Sequence, residues 1–126
     1  MKFVQTKQAP SAIGPYSQAV VVNGMVYTSG QIALTPEGSD ELLNEDVIVQ
    51  TECVMKNLEA VLVEANSSLN KVVKTTIFLT DMNSFSLVNE VYEKAFKKHK
   101  PARATVAVKT LPKNALVEID AIALVK

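Results

Sequence analysis

The stretch LVEIDAIALV (Leu116–Val125) begins as one kind of strand and ends as another. From Val117 to Asp120 apolar and charged residues alternate, as they do on a sheet with one face in water. From Ala121 to Val125 every residue is apolar, so both faces of the strand need cover. AVVV (Ala19–Val22) has the same two-sided apolarity. Any fold for this chain must therefore hide both faces of part of its sheet.

Upstream, RATVAVKT (Arg103–Thr110) is rich in small and β-branched residues and reads as a buried strand, joined to the last by a turn at Leu111-Pro112-Lys113-Asn114. Before it, Phe85, Val88, Tyr92 and Phe96 recur at helical spacing, with Asp81, Asn83 and Ser84 as cap candidates and Pro101 closing the segment. KVVKTTIFLT (Lys71–Thr80) is a further β-branched strand. Val47, Val54, Leu58, Val61, Leu62 and Ala65 predict a helix from Glu45 to Ala65, with Asn44 as N-cap and Glu45 and Asp46 in its electropositive first turn. QAVVVNGMVYTSGQI (Gln18–Ile32) reads as a hairpin turning at Asn23-Gly24. KFVQT (Lys2–Thr6) is a short strand, and the segments around Pro10, Gly14, Pro15, Pro36 and Gly38 are loops.

The order is β-β-β-α-β-α-β-β, an α+β arrangement in which two helices cover one face of a sheet. The other face is left for a partner, and a second copy of the chain is the simplest one, so a homo-oligomer is expected. The order of its symmetry does not follow from this reasoning.

The 126 residues make one domain, 1–126. Net charge is zero, which removes the cationic excess a nucleic-acid binder needs. The basic run KAFKKHKPAR (Lys94–Arg103) reads as a solvated helix end. A single cysteine, Cys53, allows no internal disulfide and reads as a packing residue. With one histidine, His99, read as exposed, and no clustered carboxylates, no metal site is expected. No apolar run could span a bilayer and MKFVQTKQAPSA is no secretory signal, so the expected location is the cytoplasm.

Strand alternation puts Arg103, Thr105, Ala107 and Lys109 on one side, and Glu118 and Asp120 together on one side of the last strand. The short connection predicts antiparallel neighbours, which would bring Arg103 and Glu118 into one region. Two readings remain open. The pair could be a structural salt bridge, or Arg103 could fork onto a ligand carboxylate with Glu118 as a proton-transfer group. Ser29 and Gly30 end a strand where a ligand could approach the main chain, and Tyr16 follows Gly14-Pro15 in a loop.

PARATVAVKTLPKNALVEI (Pro101–Ile119) resembles the signature of the Rid/YjgF family of reactive intermediate deaminases, including the spacing of its arginine and glutamate. AIGPYSQAV (Ala12–Val20), VYTSGQI (Val26–Ile32) and VVKTTIFLTDMNSFSLVNEVYEKAF (Val72–Phe96) resemble its other blocks, so the likeness covers essentially the whole chain. It implies a chorismate-mutase-like fold and a homotrimer with a central barrel, with ligand clefts between subunits. The implied activity is hydrolysis of 2-imino acids or their enamines, such as 2-iminobutanoate and 2-iminopropanoate, to 2-keto acids and ammonia, with no cofactor. Carried over, Arg103 would grip the substrate carboxylate and Glu118 would activate water. Ser29 and Gly30 would line the cleft, with Tyr16 closing it and Asn89 a weaker contact. Thr105 stands where many deaminating members have cysteine, and Ala33 where many have proline. The alternative functions are a keto-acid-binding regulator and, opposed by the zero net charge, an endoribonuclease or translation inhibitor.

Overall fold

The computed structural model describes Met1–Lys126. Its strands are β1 (Lys2–Val4), β2 (Ala19–Val22), β3 (Met25–Thr28), β4 (Val72–Leu79), β5 (Ala102–Ala107) and β6 (Val117–Leu124). Its helices are α1 (Val47–Glu64) and α2 (Phe85–Phe96). The element order is the expected one. Asn23 and Gly24 both take positive φ, 51° and 75°, as a two-residue hairpin turn between β2 and β3 requires.

The start of α1 differs from expectation. Asn44 closes a short 3₁₀ turn, Glu41–Asn44, and the N-cap is Asp46, whose Oδ1 accepts from the Val49 amide at 3.0 Å. Two good capping residues lie two positions apart, and tertiary packing selects between them. Gln50, fully buried, donates to the carbonyls of Leu43 and Glu45, which bends the chain ahead of the helix.

All six strands form one sheet in the order β1-β2-β3-β6-β4-β5. The expected β5–β6 neighbourhood is wrong, because β4 lies between them, parallel to β5 and antiparallel to β6. The cause is the β4-α2-β5 crossover: a helix between two strands returns the chain beside the first strand in the same direction. The connection after β5 then crosses the end of β4, tied there by Val108 N–H to Leu79 O (2.7 Å) and Thr80 N–H to Leu116 O (3.3 Å). β5 is consequently an exposed edge strand rather than a buried one.

Both helices lie against one face, burying Val26, Ile77, Leu79, Val117, Ile119, Ala121 and Ala123 with Val54, Leu58, Leu62, Val88 and Phe96. In β6 the buried residues alternate with half-buried Glu118, Asp120 and Ile122, so the second apolar set points away from the helices. There Phe3 is 69% exposed, Leu124 49%, Tyr27 44% and Val106 43%. No helix is long and apolar enough to cross a membrane.

Candidate functional site

Glu118 lies on the helix-free face, paired across the sheet with Phe78 and, beyond it, Val106. Gln31 exchanges backbone hydrogen bonds with Ile119 (2.9 and 3.2 Å), which lays Ser29–Gln31 beside Glu118. A side chain on Gly30 would place its Cβ 2.7 Å from Glu118 Cδ and 2.9 Å from Cγ. Glycine thus makes room here for the Glu118 carboxylate, and its backbone conformation is not a left-handed one that would favour glycine. We expect Gly30→Ala to push the Glu118 side chain aside at a small loss in thermal stability. A crystal structure of the variant and a melting curve check this, and an unmoved carboxylate would show that the glycine is dispensable.

Tyr16, Ser29, Gly30 and Glu118 line one cavity of about 440 Å³, walled further by Ile13, Gln18, Ile32 and Leu34 and rimmed by Pro112 and Lys113. Tyr16, 53% exposed, accepts from the Ile13 amide through its hydroxyl at 3.3 Å. Ser29 donates its hydroxyl proton to Ser17 O (2.5 Å) and its amide proton to Gln18 O (2.9 Å). Gln18 does not stand out in the sequence as a site residue. Its Oε1 accepts from the Thr6 amide at 2.6 Å, and its Nε2 shares two protons among the carbonyls of Thr6, Ala9 and Pro10. A buried amide satisfies the irregular backbone that forms one wall of the cavity. The available signal is a glutamine between a Pro/Gly loop and an apolar strand.

Burial pushes the Glu118 carboxyl above its ordinary range, and the nearby Asp120 charge pushes it further the same way. Asp120 is also raised by burial, partly offset by a backbone hydrogen bond at Thr76 and by Lys74. The surroundings of Glu118 thus disfavour its charged form.

Arg103 is elsewhere. It pairs across the sheet with Thr75, which pairs with Ala121, a residue buried under the helices. Arg103 and Glu118 therefore sit on opposite faces, and a salt bridge between them within one chain is excluded. Arg103 Nη1 donates to Asn89 Oδ1 at 2.7 Å. Its guanidinium lies 5.0 Å from the Tyr92 ring centroid and 5.3 Å from that of Phe85. Tyr92 is held in turn by a 2.7 Å hydrogen bond with the Thr75 hydroxyl. Arg103 and Asn89 line a second cavity, about 430 Å³, with Lys97, His99 and Lys100. These contacts orient Arg103 and leave it guanidinium protons for a ligand.

Thr105 shares Arg103's side of β5, and its buried Oγ1 has no hydrogen-bond partner. His99 is half-buried rather than exposed, its Nε2 2.7 Å from Val72 O, so one ring nitrogen is committed to the fold. Cys53 donates to Leu34 O at 3.3 Å, and burial raises its thiol, as suits a packing residue. No group of three His, Cys, Asp or Glu side chains comes together as a metal ion would need.

The predicted site residues thus fall into two sets. Tyr16, Ser29, Gly30 and Glu118 meet on one face, and Asn89 and Arg103 meet on the other, with Thr105 along the same strand.

Comparison with known proteins places the chain among relatives over its whole length. The family model described as Endoribonuclease L-PSP matches residues 6–125. AldR of Lactococcus lactis is 50% identical over 126 residues, covering 100% of this chain and 99% of AldR. The 2-iminobutanoate/2-iminopropanoate deaminase of Mus musculus is 47% identical over 122 residues, covering 97% of this chain and 90% of the mouse protein. The crystal structure of E. coli TdcF with bound serine superposes with a TM-score of 0.92 at 41% identity, covering 100% of both chains.

Proposed function

The chain belongs to the Rid/YjgF (L-PSP) family, and from that premise we propose that it is a hydrolytic deaminase of 2-imino acids and their enamine tautomers, 2-iminobutanoate and 2-iminopropanoate among them. The observation that carries the reading is the division of the site between the two faces of the sheet. Arg103 and Glu118 can serve one substrate only if they come from different copies. The uncovered face, with Phe3, Tyr27, Ile122 and Leu124, supplies the apolar surface on which copies associate, here as a homotrimer. Each cleft then lies between the Glu118 cavity of one copy and the β5 edge of the next.

In this scheme the Arg103 guanidinium forks onto the substrate carboxylate, held in aim by Asn89 and the two rings. Glu118 takes a proton from a water as its oxygen attacks the imine carbon, and the proton passes to the nitrogen. The tetrahedral carbinolamine then collapses: its hydroxyl gives up its proton as the carbonyl forms, the nitrogen takes a proton as the C–N bond breaks, and the 2-keto acid and ammonia leave. An imine carbon is already electrophilic, so orientation and one well-placed proton transfer supply most of the acceleration. Ser29 and Gly30 line the cleft and Tyr16 closes it, whereas the buried, unpartnered Thr105 hydroxyl lines neither cavity and would have to be uncovered to reach the ligand. No cofactor takes part.

The test is to add the protein to threonine dehydratase and threonine and to follow the decay of the enamine by absorbance. Faster decay, with stoichiometric keto acid and ammonia, is expected; no acceleration by folded protein sinks the reading. A second reading, a regulator that binds keto acids without turnover, draws on AldR, whose name proposes a regulatory role. Keto-acid binding lost in Arg103→Ala, without enamine hydrolysis, would select it.

A further inference from the structure

The Glu118 cavity has two charged side chains in its lining, Glu118 itself and Lys113. Lys113 is carried on a turn of unusual backbone. Its φ and ψ are 55° and 26°, and the next residue, Asn114, also takes positive φ, 58°. Two consecutive left-handed residues without glycine persist only where the surroundings impose them. Here Pro112 fixes the preceding φ, Asn114 N–H donates to Leu111 O (3.0 Å), Ala115 N–H donates to Pro112 O (3.1 Å), and Ala115 is fully buried. The fold thus holds the lysine at the rim of the cavity while its side chain stays exposed.

Burial and the charge of Asp120 are what raise the Glu118 carboxyl, and Lys113 is not among the charges that act on it. Arg103, on the other face of the sheet, is assigned to the substrate's 2-carboxylate. A simple imino acid needs one cation, and the Glu118 cavity brings another, Lys113, in addition to the Lys97 and Lys100 that line the Arg103 cavity. Ile13, Ile32 and Leu34 line the same cavity and give it apolar surface that suits a short methylene chain.

Building on the deaminase reading, we propose that Lys113 is a specificity-determining residue that favours substrates with a second anionic group at the end of the side chain, that is, imines of dicarboxylic amino acids. A lysine suits this role because it is a compact charge on a flexible stem and can reach anions at more than one distance.

The experiment measures kcat/KM for the imines that an amino-acid oxidase forms from glutamate and aspartate, and for 2-iminobutanoate, in wild type, Lys113→Met, Lys113→Arg and Lys113→Glu. The substitution to Met keeps most of the stem and removes the charge. The ratio of dicarboxylate to 2-iminobutanoate kcat/KM is expected to fall about five- to tenfold in Lys113→Met, further in Lys113→Glu, and to return in Lys113→Arg. An unchanged ratio, equal losses on both substrates, or a wild type that hydrolyses 2-iminobutanoate but neither dicarboxylic imine overturns the assignment of Lys113 and leaves the deaminase reading standing. A wild type inactive on 2-iminobutanoate overturns the deaminase reading first, and the assignment with it.

Discussion

Arg103→Ala is expected to lower kcat/KM for 2-iminobutanoate by about 1.5 to 3.5 decades, the loss of roughly 2–5 kcal/mol that goes with removing a charge-assisted clamp. The fold should hardly notice. Arg103 is exposed, on an edge strand, and its one side-chain hydrogen bond is to Asn89. Circular dichroism and the mass in solution by light scattering should match wild type. A fall in that mass would instead make Arg103 a structural clamp. The placement of Arg103 and Glu118 on opposite faces allows a stricter version. Arg103→Ala and Glu118→Gln are each expected to be nearly inactive. When equal amounts are unfolded and refolded together, about a quarter of the clefts should receive a wild-type arginine from one copy and a wild-type glutamate from another. Return of about a quarter of wild-type activity supports a shared site. No recovery in hybrids shown by mass to have formed rules it out.

That division could not be read from the residues alone. The hairpin was legible because Asn23-Gly24 has a single good use, and α2 because Val88, Tyr92 and Phe96 share one face. The β5–β6 relationship was misread because a turn-rich connection resembles a hairpin. The β4-α2-β5 order was itself the better guide, since a helical crossover demands parallel neighbours. Once β4 is inserted, the pairing of Thr75 with Arg103 and of Phe78 with Glu118 sends the two side chains to opposite faces. The two-sided apolarity of Ala121–Val125 was legible as a need for cover, and the sheet has the open apolar face that this required. Gln18 and the choice of Asp46 over Asn44 as cap were not legible, because both depend on where distant backbone groups come to lie. Thr105 was visible as a departure from a family pattern, but its unpartnered hydroxyl is a property of the packed β5 edge.

Glu118→Gln is the second substitution expected to have a large effect, about two to four decades in kcat, since in the proposed mechanism it removes the group that accepts the proton of the attacking water. The dependence on pH separates this role from a merely structural one. Burial, and then the charge of Asp120, raise the Glu118 carboxyl above its ordinary value. A base must be ionised, so the wild-type rate should fall on the acid side at a higher pH than an exposed glutamate would give, and the residual rate of Glu118→Gln should lack that limb. Asp120→Asn removes a like charge but not the burial, so it should move the limb part of the way to lower pH. Stability should run the other way. A carboxyl whose folded pKa is raised favours the fold while protonated, below its unfolded value, and this contribution is lost as pH rises through the folded value. Glu118→Gln has no such loss, so its denaturation midpoint should gain on wild type as pH rises through the same window in which wild-type activity appears. A neighbour's Arg103 paired directly with Glu118 would reverse both trends: the carboxyl would be lowered, the acid limb would move down, and Glu118→Gln would be the less stable protein above that pH. Opposite slopes for rate and stability therefore identify Glu118 as a strained, water-activating base, and parallel slopes identify it as half of an intersubunit ion pair.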